Sequence, residues 1–321
     1  MKIHLPNSAF LGNIDAFLRK IDFSEPDRLE VTFNKDWMSL HPLVISMTAA
    51  LAIAMKEKHQ EVRAEKVTAT SGHYLKVIGL TELINAETIA IEGHEPSGRY
   101  IRISVIKNSG ELTTFITNMI PLLHASASQA EPIEYIMSEL IRNVLEHANS
   151  PVGAVVCAQY FKKSNRVSIG VADLGLGIKK TINHSYAART DAEAILLALR
   201  PGITGTTKKP GGTAQNAGAG LFFIKSIAKI NRDFFVLYSG NSMYKLLKDA
   251  PGKKVHLRMD PKEDRHSLKE DLPYWQGTAV GIDITIDANG SVGDFLSYLR
   301  KIFHSEVKEK KKEYYKKPRF V

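Results

Sequence analysis

The sequence contains almost no cysteine and no long uninterrupted apolar run. Cys157 is the one cysteine among 321 residues, and it lies in the apolar stretch VGAVVCAQY, which favours a buried packing role. A single cysteine excludes a disulfide framework or a cysteine zinc site within one chain. The longest apolar stretch, residues 47–55, is too short to span a bilayer, and the N-terminal residues lack the apolar core of a signal peptide. We therefore expect a cytoplasmic protein that does not cross a membrane.

The composition is that of a globular chain with an excess of positive charge. Hydrophobic residues make up 44% and charged residues 24%, which argues against disorder, and the length allows one large domain or two. Much of the net charge of +9 is concentrated in residues 308–320, KEKKKEYYKKPRF. Such a run is usually a solvated terminus, so nucleic-acid binding through this tail is an alternative that we do not favour.

The order of elements predicts two units and a tail. LEVTF alternates like a strand, residues 40–58 read as a buried helix, residues 73–84 as a shorter amphipathic helix, and TIAIEG and RYIRISVIK as a strand pair. A boundary follows near residues 107–130. We predict an α/β module over residues 1–110, a second α/β domain over 111–300 and a basic tail over 301–321.

A helix predicted from residue 131 to residue 149, with Pro132 in its first turn, carries the first polar pattern. Glu139, Asn143 and His147 recur four residues apart and therefore share one helical stripe. An exposed polar face would explain the stripe. However, apolar residues surround it, and an asparagine inside a helix needs a partner for its amide, such as a hard cation.

Two glycine clusters follow, each beside an apolar run. In DLGLGI, Asp173 ends a strand, and Gly175 and Gly177 would let the backbone approach a flat ligand. In GAGLFFI, Gly218 and Gly220 precede an apolar helix whose free N–H groups would face an anion. Either cluster alone is more typical of a turn or a helix start than of a ligand site.

Four motifs follow one another along the chain: E-x-x-x-N-x-x-x-H, D-x-G-x-G, G-x-G-L and a late Gly277-Thr278. In the order and spacing of these motifs, the chain resembles the ATP-binding domain of the GHKL superfamily over residues 130–287. That superfamily includes histidine kinases, gyrase and anti-sigma serine kinases. The resemblance implies a Bergerat-type α/β two-layer sandwich that binds ATP and magnesium, with an ATP lid over residues 179–217. It also implies these roles: Glu139 as catalytic carboxylate, Asn143 as magnesium ligand, Asp173 as acceptor of the adenine amine, Gly175 and Gly177 as the first glycine box, Gly218, Gly220 and Leu221 at the phosphates, and Thr278 beside the adenine.

Departures from the family narrow the expected function. His124 lacks the context of a phosphoacceptor histidine, which argues against a sensor kinase, and too little chain follows Thr278 for the transducer domain of a topoisomerase. The N-terminal module resembles the STAS fold, and Ser39 stands near the phosphorylatable serine of that family, although its sequence context differs. We expect slow ATP hydrolysis or phosphotransfer that switches a regulatory protein partner, with homodimerisation as an option. A non-catalytic nucleotide-dependent interaction module and a nucleic-acid-associated ATPase are the alternatives.

Overall fold

The computed structural model describes residues 1–89, 99–119, 127–203, 219–250, 252 and 254–285. Gly218, His124, residues 204–217 of the expected lid, most of TIAIEG and the basic tail lie outside this part of the chain. The described residues form a mixed α/β structure. No helix among them combines the length and the apolar character needed to cross a membrane.

The strands are β1 Lys2–Leu5, β2 Ser8–Ala9, β3 Arg28–Phe33, β4 Ser39–Leu40, β5 Glu61–Ala64, β6 Arg99–Ile106, β7 Ala154–Phe161, β8 Arg166–Ala172, β9 Phe235–Gly240, β10 Ser242–Leu246, β11 His266–Lys269 and β12 Trp275–Thr285. The helices are α1 Ile14–Leu18, α2 Pro42–Glu57, α3 Gly72–Val77, α4 Leu80–Leu83, α5 Ser109–Met119, α6 Ala127–Asn143, α7 Ile178–Ile182, α8 Asp191–Ala198 and α9 Gly220–Ile230. A π-helical turn, Val144–Ala148, continues α6.

A seven-stranded sheet forms the centre of the fold, with the strand order β11-β10-β9-β12-β8-β7-β6 and antiparallel pairing throughout. Its strands alternate between two apolar faces, as side chains of an extended chain must. On β8, Val167, Ile169 and Val171 face the core that α6, α8 and α9 cover. Ala172 belongs to the core on the opposite face. The same alternation carries Asp173, the next residue, to the face of Val171.

The opposite face of this sheet is covered by α2, which explains why that helix is apolar all round. All residues from 42 to 52 are buried, because α2 lies between β7 and β8 on one side and β3 and β5 on the other. Strands β1, β3 and β5 form a three-stranded parallel sheet on the outer side of α2. The N-terminal residues and the large sheet therefore share one hydrophobic core.

A pair of glycines allows α2 to approach the sheet closely. Gly170 on β8 and Gly281 on β12 are register partners, and a Cβ on Gly170 would lie 2.2 Å from the backbone nitrogen of Leu43. The hydroxyl of Ser46 donates a hydrogen bond of 2.9 Å to the carbonyl oxygen of Gly170. The start of α2 is thus in backbone contact with the middle of the large sheet.

Buried polar groups join the same two layers. His41 caps α2 by accepting a hydrogen bond at Nδ1 from the backbone amide of Leu43 at 3.0 Å, and its Nε2 lies 3.3 Å from Oδ1 of Asp283 on β12. Burial would raise the pKa of Asp283, but the neighbouring His41, Arg166 and Ser168 lower that pKa below its ordinary value. Asp283 is therefore a buried anion held by partners from both layers.

Several predicted elements are confirmed: β3, α2, β6, α9 and β8, the strand that Asp173 follows, lie where the patterns placed them. The structure differs in four places. The helix predicted over residues 73–84 is divided into α3 and α4 at Gly79, whose φ of 89° favours glycine. Helix α6 begins one turn earlier than predicted, so Pro132 lies in its second turn. Strand β6, which precedes position 110, pairs with β7 inside the large sheet.

The fourth difference concerns the expected lid, residues 179–217. Its first part consists of α7 and α8, and Ile195 and Leu199 are fully buried in the core of the large sheet. Thr190 caps α8 by accepting a hydrogen bond from the amide of Glu193. The part of the expected lid up to residue 203 is therefore packed against the core. The apolar run AILLAL, residues 194–199, is largely buried there, whereas loops usually lie on the surface.

Candidate functional site

A cavity of about 130 Å³ lies between α6, the C-terminal end of β8 and the first turn of α9. Glu139, Asn143, His147, Asp173, Gly177, Gly220, Leu221 and Thr278 all line it. These residues come from four separate parts of the sequence. Of the predicted site residues, Gly175 does not line the cavity, and Gly218 lies outside the described residues.

Asp173 is the most deeply buried polar group of the cavity, with 1% of its surface exposed. Its Oδ1 accepts a hydrogen bond from the backbone amide of Gly175 at 2.7 Å, and its own amide donates to the carbonyl oxygen of Thr278 at 2.9 Å. Burial raises the pKa of Asp173 to about 7, although backbone hydrogen bonds with Gly175 and Thr278 act in the other direction. A ligand that donates a hydrogen bond here would stabilise the ionised carboxylate.

The glycines after Asp173 have different roles from each other. A Cβ on Gly175 would lie 2.1 Å from the carbonyl oxygen of Ala148, and the same oxygen accepts a hydrogen bond of 2.7 Å from the amide of Leu176. Gly175 therefore packs against the end of the α6 extension, which corrects the expectation that it approaches a flat ligand. Gly177 lines the cavity, and its φ of 76° is a conformation that favours glycine.

The polar stripe of the long helix faces the cavity rather than solvent. Glu139 and Asn143 lie on the last two turns of α6, and His147 lies on the π-helical turn that starts directly after Asn143. Single π turns within α-helices are frequent at functional sites. Asn149 ends the helix with a φ of 46°. The three side chains predicted to share a stripe therefore meet Asp173 in one cavity.

Glu139 lies between Arg142 and the start of α9. Nη2 of Arg142 lies 3.0 Å from Oε1 of Glu139, and Nε of Arg142 lies 3.5 Å from Oε1 of Glu146. A Cβ on Gly220 would lie 2.5 Å from Oε2 of Glu139. Glycine at this position lets the first turn of α9, whose backbone N–H groups have no partner within the helix, come close to the Glu139 carboxylate.

The donor set limits the kind of metal site that the cavity supports. Within the described ranges, no three His, Cys, Asp or Glu side chains converge as a metal cluster. Asn143 contributes an amide oxygen, which suits magnesium bound mainly by ligand oxygens and water rather than by a cage of protein carboxylates. The residues present are consistent with magnesium that arrives with a phosphate ligand.

Two supporting residues were not predicted from the sequence. The Ser239 hydroxyl accepts a hydrogen bond from the amide of Ile178 at 3.0 Å and donates to the carbonyl oxygen of Gly277 at 2.6 Å. The Gln276 side chain donates to the carbonyl oxygen of Gly175. Both residues fix the loop between Asp173 and α7. A serine near the end of the apolar strand FVLYSG only weakly indicates such a role, because the local sequence does not show which backbone groups its hydroxyl will hydrogen-bond.

Ser39 is remote from the cavity. It lies on β4, two residues before the His41 cap, and the adjacent Leu40 and Leu43 belong to the core on the α2 side of the large sheet. The cavity is lined by Val171 and Val280, which belong to the other face. The sheet therefore separates Ser39 from the cavity of its own chain.

No protein-family model matches the chain, and a search of curated proteins found no match either. What the site does therefore has to be inferred from its own residues.

Proposed function

We propose that the chain is a magnesium-dependent ATP-binding protein of the GHKL type that switches a protein partner by slow hydrolysis or phosphotransfer. One observation carries the proposal: a single cavity contains a buried carboxylate, Asp173, together with Glu139, Asn143 and the glycine-led start of α9. Together these groups could contact the base, the phosphates and the magnesium ion of a bound nucleotide.

Asp173 supports the choice of adenine as the base. Its carboxylate lines the cavity at the end of β8, where it is shielded from water and can accept a hydrogen bond from an exocyclic amine. Adenine carries its amine at C6, whereas guanine carries a carbonyl oxygen at the same position, and a carboxylate would repel that oxygen. Thr278, the register neighbour of Ser239, lines the same part of the sheet.

The start of α9 supports a phosphate site. Gly220 is the first residue of this eleven-residue helix, and both Gly220 and Leu221 line the cavity. Free N–H groups and the positive end of the helix dipole favour an anion at that place. Asn143 would hold the magnesium ion, which when bound offsets the negative charge of the phosphates.

Glu139 supports a catalytic role beyond binding. Its carboxylate lies beside Gly220 and is oriented by Arg142. A carboxylate fixed next to a phosphate site can accept the proton of an attacking water or hydroxyl group. We favour water as the acceptor within one chain, because Ser39 lies behind the large sheet.

The same proposal assigns the architecture. The large antiparallel sheet with α6, α8 and α9 on one face would be the GHKL sandwich, and the β1-α1-β3-α2-β5 segment the STAS-like module. The shared core around α2 supports a role of this module as a fixed docking layer for a partner.

Calorimetric titration with Mg-ATP tests the proposal. Asp173→Asn should weaken ATP binding about tenfold to a hundredfold, since a buried hydrogen bond to a charged group is worth about 1.5–3 kcal/mol. Asp283→Asn is the matched control, because Asp283 is buried in the adjacent strand but faces α2. Circular dichroism should show both variants folded. Equal ATP affinity in the wild type and Asp173→Asn, or equal affinity of the wild type for ATP and GTP, would refute the adenine assignment.

A further inference from the structure

A second, larger cavity of about 680 Å³ adjoins the first. We propose that it is a docking groove for an acidic peptide segment of a protein partner. The residues that carry the proposal are Lys179, Lys180, His184, Asp191, Tyr274 and Gln276, all of which line the groove.

The groove has a positive charge that can interact with a ligand. Within the part of the chain that the structure describes, Lys179, Lys180 and His184 form no ion pair. Among the described residues that line the groove, Asp191 is the one carboxylate, and its Oδ2 accepts a hydrogen bond from the amide of Asn241 at 3.2 Å. Asp191 also lies in the first turn of α8, where the helix dipole offsets its charge. Acidic side chains of a partner would therefore meet uncompensated lysines.

The shape of the groove fits a peptide better than a single small ion. Its volume is several times that of the first cavity, and its lining includes Tyr274, which is 58% exposed. Exposed tyrosines are enriched at protein interfaces because they offer apolar area together with a hydroxyl group. Asp191 disfavours binding of a nucleic acid in this groove, because the evenly spaced phosphates of a nucleic-acid backbone would be repelled by its carboxylate. Side chains of a peptide can be arranged around that carboxylate.

The groove is physically linked to the first cavity. Gly177 lines both cavities, and Ser239, in the groove lining, holds the amide of Ile178. A segment bound in the groove would therefore contact the loop that carries Asp173. Coupling between the groove and nucleotide binding rests on the proposed nucleotide site, whereas docking of a peptide in the groove does not.

Fluorescence anisotropy with a labelled oligoglutamate peptide of about ten residues tests the groove. The sequence offers a control, because Lys162 and Lys163 are another adjacent pair of lysines. Both are exposed, and they lie in the turn between β7 and β8, away from the groove. The double variant Lys179→Glu/Lys180→Glu should bind the peptide at least about tenfold more weakly than the wild type. Lys162→Glu/Lys163→Glu, with the same change in net charge, should differ from the wild type less than about twofold.

Three results would overturn the proposal: no saturable peptide binding by the wild type, equal losses in the two double variants, or stronger competition by single-stranded DNA of the same length than by unlabelled peptide. Asp173→Asn separates the two proposals. If docking is right, this variant keeps peptide affinity, and any effect of Mg-ATP on that affinity seen in the wild type disappears. If the nucleotide site alone is wrong, the peptide still binds and Mg-ATP has no effect on wild-type affinity.

Discussion

Arg142 and Glu139 form an ion pair one turn apart on the same helix, with Nη2 of Arg142 3.0 Å from Oε1 of Glu139. The side chain of Glu139 is 18% exposed, while that of Arg142 is 45% exposed. The pair fixes one oxygen of the carboxylate, and the other oxygen faces the start of α9. Arg142 thereby orients Glu139 toward the place where we expect the phosphates.

Glu139→Gln should abolish turnover without loss of ATP binding. A general base acts in the transition state, so its loss should lower the rate of phosphate release by about a hundredfold to ten-thousandfold. Glu146→Gln is the control, because Glu146 also contacts Arg142 but does not line the cavity. Measurement of phosphate release and of ATP affinity checks both variants. Wild-type turnover in Glu139→Gln would remove the catalytic role and favour a passive interaction module.

Asn143→Ala should make ATP binding independent of magnesium. The amide oxygen of Asn143 holds the ion in the ground state, so its removal should lower affinity for Mg-ATP about tenfold or more and leave affinity for metal-free ATP nearly unchanged. Calorimetry with and without EDTA measures both quantities. An unchanged magnesium dependence would place the ion elsewhere.

Asp173→Asn should stabilise the protein more at pH 8 than at pH 5 when no ligand is bound. Burial raises the pKa of Asp173 to about 7 in the folded chain, above its ordinary value in the unfolded chain. Between those two values the folded state binds a proton that the unfolded state lacks, so the wild-type free energy of unfolding falls as pH rises. The stability gain of the variant should grow by about 2–3 kcal/mol between the two pH values. Urea unfolding measures it, and an equal gain at both pH values would contradict the raised pKa.

Gly170→Ala should strongly destabilise the whole chain. The new Cβ would overlap the backbone of Leu43, and overpacking of this kind costs about 1–3 kcal/mol or more. Gly12→Ala is the control, since its Cβ would meet Phe234 at an ordinary 3.4 Å. Because the N-terminal residues and the large sheet share one core, urea should unfold them in one transition observed by both fluorescence and circular dichroism. Two separated transitions would show that the N-terminal module folds independently.

Incubation with γ-labelled ATP should leave no label on Ser39 of a monomer. The large sheet separates Ser39 from the cavity, so label should leave as free phosphate or appear on a partner. Mass spectrometry of the wild type and of Ser39→Ala checks this. Acid-stable label that is lost in Ser39→Ala and shows first-order, concentration-independent kinetics would contradict it.

The sequence alone was sufficient for the local features of the site. Alternation along β8 predicts that Asp173 lies on the same face as Val171, whereas the placement of Thr278 beside Asp173 followed from the resemblance to the GHKL family. The four-residue spacing of Glu139 and Asn143 predicts their common helical stripe. Periodicity of two or of about 3.6 residues is a property of the backbone itself, so it can be read without knowledge of the neighbours.

Only the tertiary structure decided what covers each apolar face and which glycines serve packing. A periodic pattern shows that a face is buried but not which segment buries it. The sequence therefore predicted a separate N-terminal module, while α2 lies between two sheets in a common core. The glycine motif likewise did not show that Gly175 packs against Ala148 or that the groove beside Gly177 is basic. Such contacts join residues far apart in sequence, and their geometry depends on how whole layers pack.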